Sequence, residues 1–127
     1  MIDHITLPVN NLDKSRSFYK KALAPLGYQC VKSNNPTKAG FCTENVEGQR
    51  DFWIVEDSEA VRSSIYCIAF KALNKEMVDL FHKTALSAGG INNGKPGYRT
   101  KYHNGYYAAF VYDPNGYNIE AVFDDFA

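Results

Sequence analysis

At 127 residues, 45% of them hydrophobic and 14% aromatic, the chain has the composition of a core-forming globular protein and excludes a disordered one. Fourteen Lys+Arg balance fourteen Asp+Glu, so the net charge of zero argues against the broad basic footprint of a nucleic-acid binder. No apolar run approaches the roughly 18–20 residues that span a bilayer, so no membrane association is expected. The opening Met1-Ile2-Asp3-His4-Ile5 places an acid where an export signal needs positive charge. Cys30, Cys42 and Cys67 are scattered and odd in number, which points to reduced thiols and a cytoplasmic protein.

In chain order, Ile2–Val9 alternates as a strand, with Ile5, Leu7 and Val9 on one side and His4 and Thr6 on the other. Asn10 and Asn11 are caps before a helix carrying Leu12, Phe18, Tyr19, Ala22, Leu23 and Leu26, which Pro25 and Gly27 close. Strands are predicted at Tyr28–Lys32, Gly40–Thr43 and Asp51–Val55, separated by Ser33-Asn34-Asn35-Pro36 and Glu47-Gly48-Gln49. A polar linker, 57–64, follows.

A new strand is predicted at Ile65–Lys71, then a helix capped by Asn74 and carrying Met77, Leu80, Phe81, Ala85 and Leu86 up to Gly89-Gly90. The Gly- and Asn-rich stretch Asn92–Gly97 reads as a loop. Strands are then expected at Arg99–Tyr102, Tyr106–Tyr112 and Asn118–Phe123, the last two joined by the turn Asp113-Pro114-Asn115-Gly116.

The two halves repeat. A single shift of 63 residues lays Ile2–Ile5 over Ile65–Ile68, Phe18 over Phe81, Ala22 over Ala85, Leu23 over Leu86 and Gly27 over Gly90. Each half reads βαβββ: module one at 1–56, module two at 65–127, within one domain spanning 1–127. One helix covers one face of such a sheet, so the other face is left for a partner sheet or a ligand.

Strand parity sets His4, Cys67 and Glu120 on one shared, uncovered sheet face. An imidazole, a thiol and a carboxylate are donors a divalent ion can use, although each is also readable as an ordinary strand residue. Nine Tyr, eight Phe and one Trp include a run through Trp53, Tyr98, Tyr102, Tyr106-Tyr107 and Tyr112. These rings suit either sheet packing or an apolar pocket with polar rims. Trp53, Tyr102 and Tyr107 are the ligand contacts chosen from them. His103, in the turn before Tyr106, is a candidate acid or base. Arg16, Arg50, Arg99 and Lys101 are each readable as an anion contact or as exposed charge.

Tandem βαβββ units, the opening Ile-Asp-His-Ile-Thr-Leu-Pro-Val, the Ser-x-x-Phe-Tyr of the first helix and the Asp-Pro-x-Gly-x-x-Ile-Glu run of Asp113–Glu120 resemble the vicinal oxygen chelate superfamily. That group includes glyoxalase I, bleomycin resistance proteins and extradiol dioxygenases. The resemblance implies an α+β fold whose sheets form a U-shaped open barrel with helices outside. It implies a metal held by His4, Cys67 and Glu120, with zinc favoured by the thiol. The fourth ligand position falls on Trp53, which cannot ligate.

The implied chemistry is that of a lyase (such as a lactoylglutathione lyase), isomerase or dioxygenase on a small oxygen-rich or aromatic molecule. Glu120 serves as ligand and proton carrier, and His103 or Tyr102 as an outer acid or base. No glutathione-binding arginine set is evident. The alternative is a metal-free binding module of the bleomycin resistance type. The family also implies a homodimer.

Overall fold

The computed structural model describes residues 2–31, 33–43, 50–60 and 66–125. Lys32, the turn expected at Glu47-Gly48-Gln49, the second half of the linker (61–64) and Ile65 lie outside them. Module one contributes β1 (Ile5–Val9), α1 (Leu12–Ala22), β2 (Gln29–Val31), β3 (Lys38–Cys42) and β4 (Phe52–Glu56). Module two contributes β5 (Cys67–Lys71), α2 (Lys75–Ser87), β6 (Ile91–Tyr98), β7 (Tyr106–Tyr112) and β8 (Asn118–Asp124). They build two four-stranded sheets, ordered β1-β4-β3-β2 and β5-β8-β7-β6.

The repeat is visible in the pairing. β1 runs parallel to β4 with Ile5 opposite Phe52 and Thr6 opposite Trp53. β5 runs parallel to β8 with Ile68 opposite Ile119 and Ala69 opposite Glu120. Both helices start on the same residue type: Asn11 Oδ1 accepts from Lys14 N at 3.0 Å and Asn74 Oδ1 from Met77 N at 2.8 Å. Such caps satisfy one of the orphan N–H groups of a helix start. α1 ends at Ala22, and Pro25 then sits in a separate 3-10 turn, Ala24–Leu26, closed by Gly27 at φ 88°.

One core serves both modules. It takes Leu7 and Val9 of β1, Phe18 and Tyr19 of α1, Phe41 of β3, Phe52 and Ile54 of β4, Phe70 of β5, Phe81 of α2, and Ile119 and Ala121 of β8. Burying each of these larger side chains is worth about 1.5–3 kcal/mol. Phe52 and Phe70 meet edge to face across the modules at 5.4 Å between ring centres.

Polar ties join the same seam. Tyr19 Oη donates to Asp113 Oδ2, Asn10 N to Asn115 Oδ1 at 2.9 Å, and Tyr117 Oη to Pro8 O at 2.5 Å. Asp113 Oδ1 also accepts from Asn115 N and Tyr117 N, closing the expected turn. Burial pushes the Asp113 carboxyl above its ordinary range while these hydrogen bonds pull it back; burial and the neighbouring acid hold the Tyr19 phenol well up.

Because the helix-bearing faces of both sheets meet in this core, the opposite faces point away from it. Thr6, Pro8, Gly40, Trp53 and Val55 occupy module one's open face by parity. Cys67, Ala69, Ala108, Phe110, Glu120 and Val122 occupy module two's, where Ala108, Phe110, Val122 and Tyr106 form a small apolar cluster of their own.

One element departs from the sequence reading. Asn92–Gly97, expected as a loop, is most of β6, and Arg99–Tyr102, expected as a strand, belongs to the turn. Glycine, asparagine and Pro96 disguise an edge strand whose pairing with β7 slips between Asn92 and Gly94 and again between Gly94 and Gly97. Asn92 Oδ1 pins the first slip, accepting from Gly94 N at 3.0 Å and lying 2.8 Å from His82 Nε2.

Candidate functional site

Three side chains converge on module two's open face. Neighbouring parallel strands bring Cys67 Sγ to 2.8 Å from Glu120 Oε2, and Tyr106 reaches from β7 to donate to Glu120 Oε1 at 2.9 Å. Asn118 Nδ2 donates to Cys67 Sγ at 3.2 Å. Glu120 is 6% exposed, so its carboxylate is buried and both oxygens accept from side-chain protons. Desolvation, then the hydrogen bond and charge of Glu120, push the Cys67 thiol up to about 12. Burial and the same carboxylate raise the Tyr106 phenol. One carboxylate thus keeps the thiol and the phenol firmly protonated.

Beside it lies a cavity of about 190 Å³ lined by Ala69, Phe70, Lys71, Tyr106, Val122 and Asp124. Its rim carries the turn residues singled out above. The His103 ring stands edge-on to Tyr106 at 5.0 Å, with Nε2 3.1 Å from Asp124 Oδ1. Tyr102 leans on the Tyr106 ring, also at 5.0 Å, and is 54% exposed.

The structure gathers Cys67 and Glu120, with His103 and Tyr102 at the edge. His4 is not gathered with them: it is exposed just ahead of β1, its Nδ1 2.7 Å from Asp3 Oδ1. Trp53 lies on module one's open face over Gly40, where a Cβ would stand 3.1 Å from its Cζ3. Tyr107 faces the other way. It points to the helix side and donates to Asp79 of α2 at 2.6 Å, a bond that heads the causes pushing its phenol up to about 12. Tyr106, one residue earlier, takes the place on the open face. Its parity with Ala108 and Phe110 was the signal available in the sequence.

Among the described residues of one chain, no three His, Cys, Asp or Glu side chains form a group able to hold a metal ion. Cys67 and Glu120 supply two donors, now joined by a proton at hydrogen-bond distance. To bind zinc they must lose that proton and move apart by roughly 0.8 Å, since Zn–S and Zn–O bonds of about 2.3 and 2.0–2.2 Å at a tetrahedral angle set sulfur and oxygen about 3.6 Å apart. The donor chemistry of a thiolate and a carboxylate fits zinc; a third donor must come from outside this chain's own module two.

Two four-stranded sheets, each carrying one helix in a βαβββ unit, define an α+β protein of paired modules. A sequence model of the Glyoxalase/Bleomycin resistance protein/Dioxygenase superfamily matches residues 1–121, and the chain belongs to that superfamily. No curated protein matches it in sequence. Among solved structures, a glyoxalase/bleomycin resistance protein from Albidiferax ferrireducens is similar at 26% identity and TM-score 0.79, over 95% of this chain and 96% of that one. A glyoxalase/bleomycin resistance protein/dioxygenase family enzyme from Burkholderia phytofirmans is similar in fold at 19% identity and TM-score 0.75, over 97% and 98%. So is a mutant of the fosfomycin resistance protein FosX from Listeria monocytogenes, at 20% identity and TM-score 0.70 over 96% and 88%. That structure holds Mn(II) and 1S,2S-dihydroxypropylphosphonic acid.

Proposed function

We propose that this protein binds a small oxygen-rich or aromatic molecule on the open face of module two. We further propose that it acts there as a divalent-metal-dependent lyase, isomerase or dioxygenase. The observation that carries the reading is the pair of hydrogen bonds from Cys67 and Tyr106 to the buried Glu120, with Asn118 on the Cys67 sulfur, on the sheet face turned away from the shared core.

A homodimer completes the site. Each chain presents two outward faces in the same register, one with His4 and Trp53, the other with Cys67 and Glu120. Setting one face of a chain against the other face of its copy gives the U-shaped barrel with helices outside. It supplies an imidazole as the third donor beside the thiolate and carboxylate. His4 of one chain with Cys67 and Glu120 of the other would hold a divalent ion, which would supply Lewis acidity toward a substrate oxygen.

The chain's own residues handle protons and orientation. Glu120 is the acceptor toward which the Tyr106 proton is already directed, and a substrate proton delivered to it takes the place of that hydrogen. Tyr106, freed by that exchange, can donate to the substrate. His103 and Tyr102 stand at the opening, where His103 exchanges protons with solvent. Ala108, Phe110 and Val122 keep the floor dry, which strengthens each of these hydrogen bonds.

Metal analysis of protein prepared without chelator, before and after zinc titration, tests the reading. The expected result is stoichiometric zinc in the wild type and affinity lowered at least about tenfold in His4→Ala, Cys67→Ala and Glu120→Gln. Wild-type protein that takes up no zinc, manganese or iron overturns the metal-dependent reaction. The metal-free binding module, favoured by the firmly held Cys67 proton, is then the better reading.

A further inference from the structure

We propose that Arg99 anchors an anionic ligand: the molecule bound on module two's open face carries an oxyanion, a carboxylate or a phosphoryl group, and docks it on the Arg99 guanidinium. The proposal rests on the reading of that face as the ligand site and adds the chemical class of what binds there.

Arg99 follows β6 and its N–H donates to Tyr106 O at 2.7 Å. Its side chain doubles back over two glycines of that strand. A Cβ at Gly97 would stand 3.0 Å from Nη1; one at Gly94 would stand 3.2 Å from Nη2 and 2.7 Å from Phe110 Cδ2. The glycines therefore leave a slot that the guanidinium and the Phe110 ring fill. The guanidinium carbon lies 5.2 Å from the Phe110 ring centre, and Nη2 donates to Lys95 O. These contacts fix the plane of the fork and leave other N–H groups to a ligand.

Arg99 is half-buried, yet among the described residues no carboxylate lies within ion-pair distance of it. A partly desolvated cation without a counter-charge is a costly arrangement that an arriving anion relieves. An arginine fork suits the paired oxygens of a carboxylate or phosphoryl group.

Its place in the sheet gives the ligand a direction. Glu120 pairs with Phe110, and Phe110 pairs with Gly94, so the acid and the guanidinium flank the Phe110 ring from opposite sides. Adjacent strands lie about 4.8 Å apart, so a molecule on the order of 5–10 Å long reaches both. The carboxylate of Glu120 repels the anionic end and Arg99 attracts it. The ligand's hydroxyl or carbonyl end is thereby turned toward Glu120, Cys67 and Tyr106.

Calorimetric titration of the full-length protein tests this, using acetate, lactate, benzoate and mandelate, each against its neutral amide. The variants are Arg99→Gln and Arg99→Lys, with folding checked by the unfolding midpoint and zinc content read on the same samples. The wild type is expected to prefer at least one acid over its amide by about tenfold or more, Arg99→Gln to erase that preference, and Arg99→Lys to keep part of it. Inorganic phosphate that competes in the wild type but not in Arg99→Gln extends the class to phosphoryl groups; phosphate without effect narrows it to carboxylates. Equal affinity within every pair, absence of binding by every acid, or a preference that survives in Arg99→Gln overturns the anchor. An Arg99-dependent preference in protein that takes up no metal removes the metal-dependent reading alone, whereas metal uptake with no acid preference removes the anchor alone.

Discussion

The two modules share their strand pairing and helix caps and part company in the side chains of their open faces. Thr6 faces Trp53 as Ala69 faces Glu120, and both helices begin on a capping asparagine, because strand register and the helix start are set by backbone hydrogen bonding. On the open faces an indole over a glycine stands in one module and a carboxylate accepting from a thiol and a phenol in the other. Even a residue shared by the repeat serves two purposes. Gly27 is in the left-handed region at φ 88° with nothing near its missing side chain, whereas a Cβ at Gly90 would lie 2.8 Å from Ala85 O and 2.9 Å from Phe18 Cε1. A duplicated position thus keeps its residue for backbone freedom in one copy and for space in the other.

The largest expected effect breaks the seam between the copies. Asp113→Ala leaves the Tyr19 hydroxyl and two turn N–H groups without their acceptor in a buried site, a loss of roughly 3 kcal/mol or more by denaturant unfolding. Next, Gly90→Ala should cost about 1–3 kcal/mol through overpacking against α1. Gly27→Ala should cost roughly 1–2 kcal/mol through backbone strain alone. A revealing difference lies in rescue: Phe18→Leu makes room and recovers part of the Gly90→Ala loss but none of the Gly27→Ala loss. Equal behaviour of the two glycines under rescue would erase the distinction drawn between them.

The smallest effect concerns reactivity. The thiolate is the form that alkylates, and Cys67 holds its proton up to about 12, so at neutral pH it should react with iodoacetamide far more slowly than an ordinary thiol. Glu120→Gln removes the negative charge and weakens the acceptor. The rate-against-pH profile for the Cys67 peptide should then move to lower pH, with a rise of about tenfold at pH 8. By linkage, the same raised pKa favours the folded state below pH 9 or so and ceases to do so as pH climbs through about 12. A profile unmoved by Glu120→Gln would mean that burial alone holds the proton.

Most of the fold was legible because its signals are local. Alternation at Leu7 and Val9, the caps Asn11 and Asn74, and the Asp113–Gly116 turn each specify their element without help from afar. β6 was not legible, since its glycines are placed by Phe110 and Arg99 from outside the strand. The parity of Cys67 and Glu120 was readable from alternation, and the same two-residue rhythm puts Tyr106 with Ala108 and Phe110 and turns Tyr107 toward Asp79 of α2. The separation of His4 from Glu120 was beyond reach of any local pattern, because it depends on which faces of the sheets the shared core consumes.

The hook of Tyr117 onto Pro8 and the catch of Asn115 on Asn10 carry a consequence for descent. Twins born by duplication are ordinarily free to separate, each able to stand alone. Here each half finishes the other's interior, so a recombination that parted them would leave two fragments with gaping cores, and the pair can be inherited only as one unit.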